Sequence, residues 1–216
     1  MQTLILFKES LPSLIKGLSM TLQITVLGLF AAIIIGLVVG FINVGKNKVL
    51  RFIDMIYIDV IRGTPLIVQA FFIYFGLPSA MNFKIDAFTA GTLAISLNAG
   101  AYLAEIFRGG ILAVDSGQME AARSLGLPYR KAMIKVILPQ AIRKMIPAII
   151  NQFIISLKDT SILSVIGIRE LTQSGEIIIA SNYRAFEIWG MVALIYFVII
   201  MILTKVTRRI ERYLTI

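Results

Sequence analysis

The sequence predicts an all-α integral membrane protein, a bundle of five membrane-spanning helices. Its composition is 58% hydrophobic and 15% charged over 216 residues, and its mean hydropathy is +0.88, which lies outside the range of ordinary soluble domains. Its apolar residues form long segments that can cross a hydrocarbon core of about 30 Å as helices. Its basic residues gather at the ends of these segments, as in membrane proteins. We therefore treat residues 1–216 as a single transmembrane domain.

The first span is predicted at residues 17–45, which carry no charge. Small residues recur there at every fourth position and form one stripe along the helix, which we expect to face protein rather than lipid. They are Gly28, Ala32, Gly36 and Gly40. The end of this span comes close to a phosphate-binding P-loop at Gly45 and Lys46. It follows a membrane helix rather than a strand, and Asn47 replaces the expected Ser or Thr, so we predict no nucleotide site.

The second span is predicted at residues 49–83, with an amphipathic start and an uncharged remainder. Asp59 and Arg62 are three residues apart, a spacing that lets them pair on a helix. Pro65 removes a backbone donor and should break or kink the helix after Arg62. Breaks of this kind in membrane helices usually line a cavity.

The third span is predicted at residues 86–113 and carries Asn98 and Tyr102 on one helical face, since they are four residues apart. Hydrogen bonding between helices and contact with a substrate explain this pair equally well. Residues 169–184 have the character of an external loop or a short surface helix. The fifth span is predicted at residues 185–207.

The fourth span is predicted at residues 143–168, and polar residues interrupt its middle. These residues are Lys158, Asp159, Thr160 and Ser161. Ionisable side chains at this depth usually pair with one another or line a substrate path, so they are candidate functional residues. The structural alternative is an ion pair that holds two helices together.

Charge distribution predicts the orientation. Five spans place the two termini on opposite sides of the membrane. Residues 43–62, 105–144 and 205–216 share one side and contain 15 of the 21 basic residues. That side should be cytoplasmic. The N-terminus is therefore predicted outside and the C-terminus in the cytoplasm of a cell (cytoplasmic) membrane protein. Because topology and lipid explain the net charge of +9, no nucleic-acid partner is expected.

The chain contains neither cysteine nor histidine. Disulfides, thiolate metal sites and cysteine catalysis are therefore excluded within it, and the commonest metal ligand and proton shuttle is missing. We predict no metal site and no catalytic residue.

A polar, basic loop is predicted at residues 114–142, between the third and fourth spans. Glu120, Ala121 and Ala122 suit a short helix, and Gly126 can take the positive φ that ends it. A second short helix is expected from Tyr129 and should be closed by Pro139. The loop has the form of a docking surface, since nothing in it can do chemistry alone.

The spacing in this loop resembles the EAA loop of permease subunits of ATP-binding cassette importers. The matched positions are Glu120, Ala121, Ala122, Gly126, Val136, Leu138 and Pro139. The only departure is Val136, where the family usually has isoleucine. Residues 62–66 (RGTPL), 99–110 (AGAYLAEIFRGG) and 156–167 (SLKDTSILSVIG) further resemble the polar amino acid uptake branch. The resemblance thus covers nearly the whole chain.

The resemblance implies a transport subunit rather than an enzyme. Its expected partners are two cytoplasmic ATPase subunits, a second permease subunit of the same or a similar chain, and an extracytoplasmic amino acid binding protein. ATP and magnesium would be bound by the ATPase subunits, and no cofactor by this chain. Glu120 and its neighbours would sit in a groove of the ATPase, with Gly126 supplying the bend between the two short helices.

A path for an amino acid needs donors for its carboxylate and acceptors for its ammonium group. Lys158, or backbone donors at a broken helix, suit the carboxylate. Asp159, Glu105 or the carbonyl groups near Gly63 suit a cationic group. The neutral candidates are Thr64, Asn98, Tyr102, Thr160 and Ser161. The available acids favour a basic amino acid slightly.

Two other functions are alternatives to an importer subunit. An ion-coupled secondary amino acid transporter would use Asp159 or Glu105 as a carboxylate relay, but no convincing internal repeat of spans is visible. An intramembrane enzyme would depend on Ser161 and Lys158 alone. Neither is favoured over the importer subunit.

Overall fold

The computed structural model describes residues 2–44 and 47–214, which form helices and short connections without a strand. Gly45 and Lys46, from the near-match to a P-loop, lie outside the described residues. The α-helices are α1 (Gln2–Val44), α2 (Lys48–Gly63), α3 (Leu66–Phe71), α4 (Leu77–Met81), α5 (Ala87–Leu112), α6 (Ser116–Ser124), α7 (Tyr129–Ala132), α8 (Leu138–Asp159), α9 (Leu171–Asn182) and α10 (Ala185–Leu214). Two π-helical turns, Phe72–Gly76 and Met133–Ile137, and a 3₁₀ segment, Thr160–Ile166, extend them.

Four helical runs in the described residues are long and apolar enough to cross a membrane. They are Ile5–Gly40, Ala87–Leu112, Tyr129–Ile166 and Ala185–Ile210. The pair of Lys48–Gly63 and Leu66–Met81 is bent by 108° and would make a fifth span if it is counted as one. The predicted all-helical membrane class is confirmed. The number of spans is four, or five with the bent pair.

Small residues of α1 pack against α5, as the stripe in the sequence predicts. Ala32 is fully buried. A Cβ atom added to Gly36 would lie 2.8 Å from the Leu103 Cβ, and one added to Gly28 would lie 2.7 Å from the Ile95 Cγ2. Neither distance leaves room for a side chain, so the two backbones approach closely. The prediction that this stripe faces protein is confirmed.

The helix that follows the polar loop does not end at Pro139, so that part of the prediction was wrong. One helical run continues from Tyr129 to Ile166. The amide of Leu138 donates to the carbonyl of Met133 in the π-helical turn just before the proline. Proline has no backbone N–H group to donate the hydrogen bond of a regular helical turn. Its ring also crowds the carbonyl group four residues earlier. A widened turn accommodates both features without ending the helix.

The short helix expected within residues 169–184 is present as α9 and is anchored to the bundle by a buried acid. The Glu170 carboxylate accepts hydrogen bonds from the amides of Thr172 (2.9 Å) and Gln173 (2.7 Å) at the first turn of α9. It also accepts a hydrogen bond from the Tyr196 hydroxyl at 3.1 Å. Because Glu170 is fully buried, these donors satisfy a group that burial would otherwise penalise.

We predict that Gly36→Leu destabilises the protein by about 1–3 kcal/mol, because the new side chain would collide with α5. Thermal denaturation followed by size-exclusion chromatography in detergent measures this as a lower apparent Tm. Gly190→Leu is the control, since a Cβ atom there meets no atom within 4 Å. Equal Tm values for the two variants would contradict the proposed close packing.

Candidate functional site

The bend between α2 and α3 is built around an arginine, a glycine, a threonine and a proline. Helix α2 ends at Gly63, and α3 begins at Leu66, just after Pro65. The prediction that Pro65 breaks this helix is confirmed. Two backbone carbonyl groups in the last turn of α2 accept hydrogen bonds from side chains. The Thr64 Oγ1 donates to the Val60 carbonyl at 2.8 Å, a contact that closes the helix end.

Gln69 supplies the second donor and connects the break to α5. Its Nε2 donates to the carbonyl oxygens of Ile61 at 2.7 Å and Thr64 at 3.0 Å. Its Oε1 accepts a hydrogen bond from the Asn98 Nδ2 at 3.0 Å. Both amide side chains are 8% exposed, so these hydrogen bonds are shielded from solvent. Hydrogen bonding between helices, one of the two explanations that the sequence leaves open for Asn98, is therefore present.

A cavity of about 530 Å³ opens beside this break, between α5 and α8. Its lining residues come from the break, from one face of α5 and from the C-terminal half of α8. They are Arg62, Gly63, Thr64, Pro65, Leu66, Asn98, Tyr102, Gln152, Ile155 and Asp159. The cavity is thus the place where the broken helix meets the polar positions of two candidate membrane spans.

The cavity brings together five of the nine candidate path residues. They are Gly63, Thr64, Asn98, Tyr102 and Asp159. Glu105, Lys158, Thr160 and Ser161 are not among its lining residues. Lys158 is exposed, and Thr160 is fully buried, with its hydroxyl donating to the Leu157 carbonyl at 2.7 Å. The Ser161 hydroxyl donates to the Lys158 carbonyl at 2.7 Å.

Sequence reasoning missed Arg62 and Gln152 in this cavity, as well as the supporting Gln69. Both glutamines are uncharged and lie in apolar segments, where neither a charge nor a motif marks them. Arg62 was assigned to a pair with Asp59. A search for every amide side chain within the predicted spans would have found the two glutamines.

Arg62 pairs with Glu105 rather than Asp59, so the predicted pairing within α2 was wrong. Its Nη1 lies 3.2 Å from the Glu105 Oε2. Arg108 binds the same carboxylate through two hydrogen bonds, of 2.8 Å from Nε and 2.9 Å from Nη2. The Arg62 guanidinium carbon also lies 5.4 Å from the centre of the Tyr102 ring, a cation–π contact. Three charged groups therefore meet at the Glu105 carboxylate, and one of them, Arg62, lines the cavity.

A second, larger cavity of about 810 Å³ is lined by all three of these charged residues. It extends along α2 past Arg51 and reaches Tyr129 and Met133 at the start of the helix that follows the loop. Arg62 lines both this cavity and the one beside the break. Within the described residues, no group of three or more acidic side chains could hold a metal ion.

The polar loop contains the predicted glycine joint. Helix α6 ends at Ser124, and Gly126 adopts a φ of +84°, which favours glycine. The Leu127 amide donates to the Ala122 carbonyl at 3.2 Å, and the Gly126 amide to the Arg123 carbonyl at 3.0 Å. This pair of hydrogen bonds is a Schellman motif, which ends α6 and turns the chain.

The loop presents one face outward and packs the other against the bundle. Glu120, Ala121 and Gly126 are exposed, and Leu125 is 84% exposed. Ala122 is buried.

One apolar cluster joins the base of the loop to the membrane helices. Its buried members include Leu103 and Phe107 of α5, Val114 of the loop, and Ala141 and Met145 of α8. The Lys144 Nζ also donates to the carbonyl of Ala113, just after α5. The loop is therefore packed as a continuation of α5 and α8.

Comparison with known protein families identifies the class of membrane protein to which this chain belongs. Residues 32–215 match the family described as the inner membrane component of binding-protein-dependent transport systems. The chain belongs to this family. It is a permease subunit of an ATP-binding cassette importer and a multi-pass cell-membrane protein, and ATP hydrolysis lies in a separate subunit.

Particular relatives are similar over nearly their full length. The glutamine transport system permease protein GlnP of Escherichia coli K12 is 48% identical over 208 residues, which cover 96% of this chain and 95% of the relative. The arginine transport system permease protein ArtQ of Bacillus subtilis 168 is 39% identical, with coverages of 94% and 93%. A crystal structure of an amino acid ABC transporter with histidines has a TM-score of 0.94 at 44% identity, covering 97% of each chain.

We predict that Gln69→Leu lowers the stability of the protein by about 1–3 kcal/mol, because the Ile61 and Thr64 carbonyl groups lose a buried donor. Asn98→Ala should have a smaller effect, since it removes a partner of Gln69 and leaves those carbonyl groups satisfied. The apparent Tm of both variants in detergent tests this order. A Tm of Gln69→Leu at or above that of Asn98→Ala would show that the break is held by other contacts.

Proposed function

We propose that this chain forms the translocation path for a polar amino acid and couples that path to ATP hydrolysis through the polar loop. The observation that supports the path is the cavity beside the broken helix. Two charged residues of opposite sign, Arg62 and Asp159, line it together with the amides of Asn98 and Gln152. An amino acid carries one carboxylate and one ammonium group, so its charges match this lining.

The proposed orientation has five spans, with the bent pair counted as one. The N-terminus is outside and the C-terminus is in the cytoplasm, as the distribution of basic residues favours. This orientation places residues 114–142 on the cytoplasmic side, where an ATPase can reach them. The larger cavity, which extends toward Tyr129, then faces the cytoplasm.

The proposed assembly contains two permease subunits, either identical or similar, and two ATPase subunits that bind ATP and magnesium. An extracytoplasmic binding protein delivers the amino acid. Glu120, Ala121, Ala122 and Gly126 form the ATPase contact, with Leu138 and Pro139 at its membrane side. The apolar cluster around Phe107 and Met145 supports this role, because a rigid connection can transmit a displacement of the loop to α5 and α8.

The proposed substrate class follows from the cavity and from the relatives, whose names include glutamine and arginine. Asp159 would accept hydrogen bonds from a cationic group, and Asn98 and Gln152 would contact neutral polar groups. A basic amino acid remains a slight preference. Glu105, Lys158, Thr160 and Ser161 stay in the proposal as residues of the wider path.

We predict that Glu120→Lys and Gly126→Asp leave the permease folded but uncouple it. Charge reversal should disturb the ATPase contact, and a side chain at a φ of +84° strains the turn. Reconstituted vesicles with the ATPase and binding protein should lose at least tenfold in amino acid uptake and in its stimulation of ATP hydrolysis.

The control for coupling is Glu176→Lys, which reverses an exposed charge on α9 and should retain the copurifying ATPase. Full uptake by either loop variant would contradict the coupling role. A secondary transporter would instead take up the amino acid without the ATPase and stop when an ionophore is added.

We predict that Asp159→Asn lowers the maximal uptake rate at least tenfold in the same vesicles, because the cavity loses the charge that binds a cationic group. ATP hydrolysis in the absence of the amino acid should stay within twofold, since Asp159 lines the cavity, and no residue of the loop contact does. Unchanged uptake kinetics would remove Asp159 from the path.

A further inference from the structure

Arg62 lines two of the cavities in the described part of the chain. Its side chain lines the cavity of about 530 Å³ beside the break and the cavity of about 810 Å³ that extends along α2. The side chain is 41% exposed, so its charged end is accessible from these spaces. A solute that moved from the first cavity into the second along this shared wall would pass the guanidinium.

We propose that Arg62 binds the carboxylate of the transported amino acid, an inference that rests on the proposed path. Arg62 and Asp159 are the two charged residues among those that line the smaller cavity. Asp159 can accept from an ammonium or other cationic group, which leaves the opposite charge of the substrate for Arg62. Lys158, the cation expected to do this from the sequence, is not among the lining residues.

Arg62 can be released from its present partner at little electrostatic cost. It contacts Glu105 through one nitrogen, with Nη1 3.2 Å from Oε2. Arg108 contacts both oxygens of the same carboxylate, at 2.8 Å and 2.9 Å. When Arg62 turns to a substrate, Glu105 keeps a two-point partner and is not left as an unpaired charge.

Tyr102 holds the guanidinium in a position suited to this exchange. The guanidinium carbon lies 5.4 Å from the ring centre, and both residues line the smaller cavity. A guanidinium above an aromatic face keeps its N–H groups directed outward in its own plane. Five N–H donors are available to Arg62, and a carboxylate can take two of them side by side.

The test measures binding of two ligand pairs that differ only by the carboxylate. The pairs are L-glutamine with 4-aminobutanamide and L-arginine with agmatine. Radiolabelled amino acid is bound to the purified complex of permease and ATPase in nanodiscs, and each unlabelled compound displaces it. The ratio of the two affinities reports the contribution of the carboxylate. A general loss of packing affects both members of a pair and cancels in the ratio.

We expect the wild-type complex to prefer the amino acid over its decarboxylated analogue at least tenfold for at least one pair. In Arg62→Met and in Arg62→Gln this ratio should fall to threefold or less, and Arg62→Lys should restore part of it. Arg51→Met is the matched control, because Arg51 is on the same helix and lines only the larger of these two cavities. It should keep the wild-type ratio.

If Arg62→Met or Arg62→Gln keeps the affinity ratio of the wild-type complex, this inference is overturned. The proposed path is then unaffected. An equal fall in Arg51→Met also overturns it, because a distant positive charge would then have the same effect. If the wild-type complex binds neither amino acid, the cavity is not a binding site, and the proposed path fails together with this inference.

Discussion

The hydrogen bonds of Gln69 are the interaction on which the arrangement of the helix break and α5 depends. A helix that breaks within a membrane exposes carbonyl groups that lipid cannot satisfy. Gln69 donates to two of them, Ile61 and Thr64, while its own carbonyl oxygen accepts from Asn98. One side chain thus closes the end of α2 and holds the break against α5. The cavity lies beside this break and is lined by Gly63, Thr64 and Pro65 from it.

The same helices connect the cavity to the loop. Asn98 and Tyr102 line the cavity from α5, and Phe107 lies farther along that helix in the apolar cluster at the base of the loop. Gln152 lines the cavity from α8, and Met145 joins the cluster two turns earlier. Because packed cores shift between discrete arrangements rather than deform smoothly, movement of the loop and of the cavity walls would be linked.

Local features could be predicted from the sequence because their causes are local. Pro65 breaks a helix wherever it stands in one, and Gly126 can take a positive φ without a neighbour's help. The small residues of the stripe that contains Gly36 are four positions apart, so they share one face of a helix. Pro139 shows the limit of such reasoning, since a π-helical turn before it allows the helix to continue.

By itself, the sequence determined that the chain is a helical membrane protein, that a helix breaks at Pro65, that the chain turns at Gly126, and which loop resembles the EAA loop. These properties depend on residues close together in the chain. Only the tertiary structure decided that Arg62 pairs with Glu105, that Gln69 connects the break to α5, that Gln152 lines the cavity, and that Lys158 is outside the cavity lining. The physical reason is that a side chain's partner depends on how helices distant in sequence pack, and a polar group in an apolar segment takes whichever partner that packing brings within reach.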